Sequence, residues 1–211
     1  MSRKADPFSI ELTPELIIRA YQAGIFPMAE DADADDLFWV SPQKRGILPL
    51  DGFHLSRSLR KTLRSHRYTI RIDTDWKGIV EGCATAGTDR DTTWINATIR
   101  KLYGQLFDRG ICHTVEVWEG PHLVGGLYGL AIGAAFFGES MFHRRTDASK
   151  IALVHLVDRL KAGGYRLLDT QFITDHLRSF GGIEISREEY ELRLADALAN
   201  TGDFIAIDRT A

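Results

Sequence analysis

No charged side chain interrupts the run from Leu123 to Gly138, and this constrains the fold more than any other feature of the chain. The run is too short and too rich in glycine to span a bilayer. It reads as two strands, Leu123 to Ile132 and Ala134 to Phe142, paired as antiparallel neighbours. His113 to Trp118 alternates as a strand before them, and Glu119-Gly120-Pro121-His122 turns the chain. Tyr165 to Phe172 reads as another strand and Phe204 to Ile207 as a last one. Helical stripes lie between them. Ile95, Ile99, Leu102 and Leu106 share a face of Trp94 to Arg109; Leu153, Leu156, Val157 and Leu160 share one of Ala148 to Lys161. Gly110 stops the first helix. Thr146 or Asp147 caps the second, and Gly163-Gly164 ends it. Helices at Asp175 to Ser179 and Glu188 to Ala199 complete an α/β domain over residues 54–211.

A chain of 211 residues has room for a second, smaller unit. Thr13-Pro14-Glu15 opens a helix with a capping hydroxyl, a proline at the first position and an acid in the first turn. Gly24 closes it. Glu30 to Asp36 carries five acids in seven residues and reads as a surface loop. Phe38-Trp39-Val40-Ser41-Pro42 follows, then a strand at Ile47 to Leu50. Residues 1–53 form a small α+β lobe on this reading, and the whole is an α+β protein.

Charge is unevenly spread. The 26 Lys and Arg against 29 Asp and Glu give a net −3, which argues against bulk nucleic-acid binding. Yet Gly52 to Ile72 holds six Lys or Arg and no acid. A helix over His54 to Ser65 puts Leu55, Leu59 and Leu63 on one side and Arg57, Arg60, Lys61 and Arg64 on the other. Such a row attracts phosphates or is simply a solvated face. Trp39 and Trp94 sit near element ends, where an indole stacks a base or packs against its neighbours. Glu139 ends a very apolar strand. Asp169 and Gln171 share one face of another, so these polar groups bond each other or a ligand.

Several chemistries lack their motifs. No G-x-S-x-G elbow, P-loop or G-x-G-x-x-G is present. The seven histidines lack metal-ligand spacing, and Cys83 and Cys112 make neither a disulfide framework nor a zinc set. No signal-peptide core opens the chain, so a cytoplasmic setting is expected.

Taken in order, a set of segments resembles the leucyl/phenylalanyl-tRNA–protein transferase family. They are Tyr21, Gly24-Ile25-Phe26-Pro27, Trp39 with Ser41-Pro42, Trp94-Ile95, His113 to Trp118, Leu123 to Gly129, Phe137-Gly138-Glu139-Ser140-Met141-Phe142, Ala148-Ser149-Lys150 and Leu168-Asp169-Thr170-Gln171. The likeness runs from Leu12 to Leu198. It implies a small N-terminal domain and a second domain similar to the acetyltransferase (GNAT) fold. Arg144-Arg145-Thr146-Asp147 stands where acetyltransferases of that fold carry a glycine-rich pyrophosphate loop, which disfavours acetyl-CoA and small-molecule acyl transfer.

The activity implied is aminolysis: Leu or Phe, with Met as a third candidate, passes from aminoacyl-tRNA to the α-amine of a protein beginning with Arg or Lys. That marks the protein for N-terminal-rule degradation. No cofactor or metal is implied, and the expected partners are aminoacyl-tRNA and acceptor protein, with no membrane and a monomeric enzyme. Carried over residue by residue, Asp169, Gln171 and Glu139 form the catalytic set. Trp94 and Trp39 stack the terminal adenine, and Leu127, Phe136, Met141, Leu153 and Leu168 line the donor side-chain pocket. Arg57, Arg60, Lys61 and Arg64 grip the acceptor arm of the tRNA. Trp39-Val40 departs from the paired tryptophans of many relatives. Acidic acceptors, or an inactive tRNA-binding module, are the alternatives.

Overall fold

The computed structural model describes residues 12–34, 36–85 and 93–209. In chain order its elements are α1 (Pro14–Gln22), β1 (Phe26–Met28), β2 (Phe38–Val40), β3 (Lys44–Ile47), α2 (Arg57–Arg64), β4 (Thr69–Ile72), α3 (Trp76–Thr85) and α4 (Ala97–Asp108). Then follow β5 (Cys112–Glu119), β6 (His122–Ile132), β7 (Ala135–His143), α5 (Ala148–Ala162), β8 (Leu167–Gln171), α6 (Asp175–Arg178), β9 (Ile183–Ser186) and α7 (Arg187–Leu198). The uncharged run forms β6 and most of β7, antiparallel as expected. They lie centrally in a seven-stranded sheet of order β4-β5-β6-β7-β8-β3-β9. Both faces of that sheet are covered, which is why its middle strands tolerate continuous apolar sequence. α1, α3, α4 and α7 bury Ile17, Ile79, Leu102 and Tyr190 on one side. α2 and α5 bury Leu59, Leu153 and Leu156 on the other. The protein is therefore α+β, with β1 and β2 in a separate hairpin. Among the described residues no helix is long and apolar enough to cross a membrane.

Local chemistry sets the boundaries. Thr13 caps α1 by accepting from Leu16 N at 3.2 Å, and Gly24 ends it in the left-handed region at φ 74°. The helix expected from His54 starts at Arg57 instead. Ser56 takes the cap, accepting from Leu59 N, while His54 N is drawn to Phe180 O at 2.9 Å. Likewise Trp94 stands outside its helix, because Asn96 caps α4 through Ile99 N at 2.8 Å. The strand expected at Ile47 to Leu50 is displaced to Lys44–Ile47, ahead of Pro49, which has no N–H to donate. That strand, drawn from the first 53 residues, is part of the large sheet. Phe204 to Ile207 does not form a strand; a 3-10 turn spans Ala206–Arg209, started by Ala206 N bonding to Asp203 O. α3, β9 and the β1–β2 hairpin are additional to the sequence reading.

One irregularity creates a site. Every neighbouring pair in the large sheet is antiparallel except β7 and β8. These two run parallel only from Ala135–Leu167 to Phe137–Asp169. Beyond that point β7 continues on β6 alone, so a gap opens beside β8. The pairing register skips Glu139 opposite Tyr128/Gly129 and skips Thr170 opposite Gly46/Ile47. A bulge re-aims the side chains around it. Here the bulges lie on the two strands that border the gap.

Candidate active site

A carboxylate with no exposure cannot stay charged without partners. Asp169 on β8 is wholly buried, and its partner is Arg45 of β3, itself 1% exposed. Arg45 Nε donates to Asp169 Oδ1 at 2.9 Å and Nη2 to Oδ2 at 2.6 Å, a two-point fork. Arg45 Nη1 also donates to Gly24 O at 3.0 Å, and the guanidinium lies 4.5 Å from both the Phe26 and Tyr190 ring centres. The Tyr190 hydroxyl donates to Asp169 Oδ2 at 2.7 Å. The last bond to Asp169 matters most: Gln171 N donates to Oδ1 at 2.8 Å. Gln171 sits at φ 57°, a region that favours glycine, and this bond holds it there. Gly46 faces the same turn; a Cβ on it would lie 2.6 Å from the Phe172 carbonyl carbon, so only glycine fits.

Glu139 faces Gln171 across the gap. Gln171 Nε2 donates to Glu139 Oε1 at 3.4 Å. The Tyr21 hydroxyl donates to Oε1 at 2.7 Å and the Tyr103 hydroxyl to Oε2 at 3.5 Å, with 2.5 Å between the two phenols. Burial pushes the Glu139 carboxyl up to about 8; Asp169 adds to the rise, and the Tyr21 and Tyr103 bonds and Arg45 oppose it. Burial also holds both phenols well above their ordinary value, so they remain O–H donors.

A cavity of about 460 Å³ fills the gap. Leu127, Met141, Leu153 and Leu168 line it with Leu156 and Leu177, and Glu139, Thr170 and Gln171 give it a polar wall. Trp94 lies at its edge. Among the described residues, three buried side-chain polar atoms have no hydrogen-bond partner: Tyr128 OH, Thr170 Oγ1 and His176 Nε2. All three residues line this cavity. Cys83 also lines it, its thiol pushed up to about 12 by burial and hence not a nucleophile.

The expected site residues thus divide. Glu139, Gln171, Trp94, Leu127, Met141, Leu153 and Leu168 converge on one cavity. Asp169 lies behind it, and Phe136, on the same face as Leu168, packs against Phe204 outside the lining. Trp39 is on β2, 40% exposed and opposite Pro27, also outside the lining. Arg57, Arg60, Lys61 and Arg64 are exposed on α2, and among the described residues none forms an ion pair, whereas nearby Arg67 and Arg145 share Glu119. The sequence reading missed Arg45, Tyr103, Tyr190, Tyr128 and His176. Only Arg45 had a signal, since a buried Asp169 requires a cation.

Known proteins resemble this sequence along most of its length. Residues 47–195 match the family model described as leucyl/phenylalanyl-tRNA protein transferase, and residues 10–43 match its N-terminal domain. A leucyl/phenylalanyl-tRNA–protein transferase of Paramagnetospirillum magneticum is 60% identical over 95% of this chain and 94% of its own length. One of Rhodospirillum rubrum is 57% identical over 92% of each, and one of Rhodopseudomonas palustris 56% identical over 96% of this chain and 90% of its own. With nearly full-length identity at this level on both sides, the chain belongs to the leucyl/phenylalanyl-tRNA–protein transferase family.

Proposed function

We propose that this protein transfers Leu or Phe, with Met as a third candidate, from aminoacyl-tRNA to the α-amine of proteins beginning with Arg or Lys. One observation carries the reading: a single cavity combines an aliphatic floor with the polar wall of Glu139 and Gln171. A hydrophobic aminoacyl ester needs both surfaces. Leu127, Met141, Leu153 and Leu168 take its side chain, Met141 repacking between Leu and Phe. Trp94 stacks the terminal adenine, and α2 holds acceptor-arm phosphates without reading sequence. Trp39, being exposed, serves as an outer contact for tRNA.

The chemistry is ester aminolysis. The neutral α-amine attacks the ester carbonyl; the new C–N bond forms, the C–O bond to the tRNA 3′ oxygen breaks, and the proton lost by the amine ends on that oxygen. An α-amine with a pKa near ~8 is partly neutral at physiological pH, and the ester is already activated, so positioning supplies much of the rate. With Nε2 bonded to Glu139, Gln171 Oε1 is free to accept from the attacking amine and orient it. Asp169 acts as a positioning residue through Gln171 N. Glu139 meets an incoming ammonium; a cation beside it favours the carboxylate, and an acidic side chain there is repelled. This favours basic acceptors over acidic ones. The parallel, splayed pair β7 and β8 supports a GNAT-like second domain over 54–211, after a first domain over 1–53 whose β3 completes its sheet. On this reading the enzyme works as a cytoplasmic monomer.

Transfer of labelled leucine from Leu-tRNA to proteins alike except for a first residue of Arg, Asp or Ala tests the proposal. Label on the Arg protein alone is expected. Label on the Asp protein overturns the acceptor class, and no label on any of them leaves a tRNA-binding module.

A further inference from the structure

A second cavity, of about 730 Å³, opens between the end of β7 and the start of α5. Met141 and His176 line both cavities, so the two are neighbours. Its charged lining is Arg144, Arg145 and Lys150 against one acid, Asp147. Asp147 is occupied: it accepts from Lys150 Nζ at 2.9 Å and from Thr62 Oγ1 of α2 at 3.3 Å. Arg145 leans on Glu119 at 3.3 Å. Arg144 spends a single N–H, Nη1 to Leu123 O at 3.1 Å, and its guanidinium rests 5.0 Å from the Phe142 ring centre with the rest of its fork unengaged. His176 borders both cavities, with its Nε2 buried and without a partner. Arg145 and Lys150 thus have Glu119 and Asp147 as partners, and among the described residues Arg144 alone of the three is left without an acid, beside a cavity built for a ligand.

The walls also connect to the basic helix. α2 is bonded to this cavity through Thr62 and Asp147, and Tyr68 OH donates to Thr146 O at 3.1 Å. Cationic surface therefore runs from the exposed Arg and Lys of α2, past Arg144 and Lys150, to the aliphatic cavity. We infer that the second cavity holds the backbone phosphate on the 5′ side of the terminal adenosine, with Arg144 and Lys150 as its main contacts. This rests on the reading that aminoacyl-tRNA is the donor. A guanidinium fork and an ammonium suit a phosphodiester oxygen pair, which carries one negative charge and no donor.

Minimal donors test this with the full chain and an Arg-starting acceptor. Phenylalanine is esterified to adenosine, to the dinucleotide cytidylyl-adenosine, and to the same dinucleotide with an uncharged methylphosphonate link. The phosphodiester donor is expected to exceed both others in kcat/KM by about tenfold, the worth of one charge-assisted hydrogen bond. The double variant R144A/K150A should bring that ratio close to one. Because the readout is a ratio, a variant that is merely less stable lowers all donors together and leaves the ratio intact, which overturns the inference. A methylphosphonate donor as good as the phosphodiester also overturns it. If intact Leu-tRNA too gives no transfer with the unaltered protein, the functional reading itself fails.

Discussion

Asp169→Ala will lower stability by about 3–5 kcal/mol and remove nearly all transfer activity, because it strands the Arg45 guanidinium in the core. The ion pair is 1–2% exposed at most, held by two short bonds between residues 124 apart in sequence. Truncating one partner leaves a buried charge with only Gly24 O and two aromatic faces. The loss of activity has a second source. Gln171 N loses its acceptor, and a residue at positive φ has less to keep it there. A combined variant separates the two effects. Arg45→Met with Asp169→Leu and Tyr190→Phe replaces the buried polar set by apolar groups of similar size, and such exchanges are often neutral or stabilising. Chemical denaturation should show most of the stability restored, while transfer stays at the level of Asp169→Ala. Recovery of transfer along with stability would mean that Asp169 serves the fold alone.

Glu139→Gln will cut transfer to an Arg-starting protein by roughly 30-fold or more, the cost of removing one partner of a buried, hydrogen-bonded charge pair. Gln keeps one oxygen to accept from the Tyr21 hydroxyl, while its amide nitrogen donates to the Tyr103 oxygen and Tyr103 donates to Tyr21, so the cavity wall survives. Its effect on stability follows from the shifted ionisation. The Glu139 carboxyl is pushed from an ordinary 4.5 up to about 8, mainly by burial. The folded state therefore retains a proton that the unfolded chain releases. The stabilisation is fully present below the ordinary carboxylate range and is lost as pH rises through about 8. Glu139→Gln cannot ionise, so thermal melts between about pH 5 and about pH 8.5 should show a flatter profile than the parent's. Parallel profiles would place Glu139 in contact with water and out of the acceptor-binding role.

Much of this arrangement is legible in the chain. An uncharged run with several glycines has to be buried between other strands, so Leu123 to Gly138 reveals β6 and β7. Thr13-Pro14 and Gly24 bound α1 by local bonding alone. The four cations of α2 declare themselves by helical spacing. What stays hidden depends on contacts that no local pattern encodes. Arg45 looks like any basic residue at a strand start; only the pairing of β3 with β8 brings it to Asp169. The bulges at Glu139 and Thr170 are properties of register between strands, and they decide which side chains enter the cavity. α3 is obscured by Gly78 and Gly82, which weaken the helical signal. Gly82 is there because a Cβ would lie 2.5 Å from the Phe142 ring. Phe136 shares the face of Leu127, Leu153 and Leu168 but packs against Tyr165 and Phe204, away from the gap, a distance along the strand that no local pattern encodes.

The central claim is that aminolysis takes place in the gap between β7 and β8, with the Gln171 amide orienting the amine. Its most direct test is single-turnover transfer from a preformed complex of Leu-tRNA with Gln171→Ala, measured beside the affinity for Leu-tRNA. The account predicts a transfer rate lowered about 100-fold, in the range of a lost proton-handling or orienting group, with affinity within about twofold of the parent. An unchanged rate at saturating Leu-tRNA would contradict it and put the reaction elsewhere on the protein.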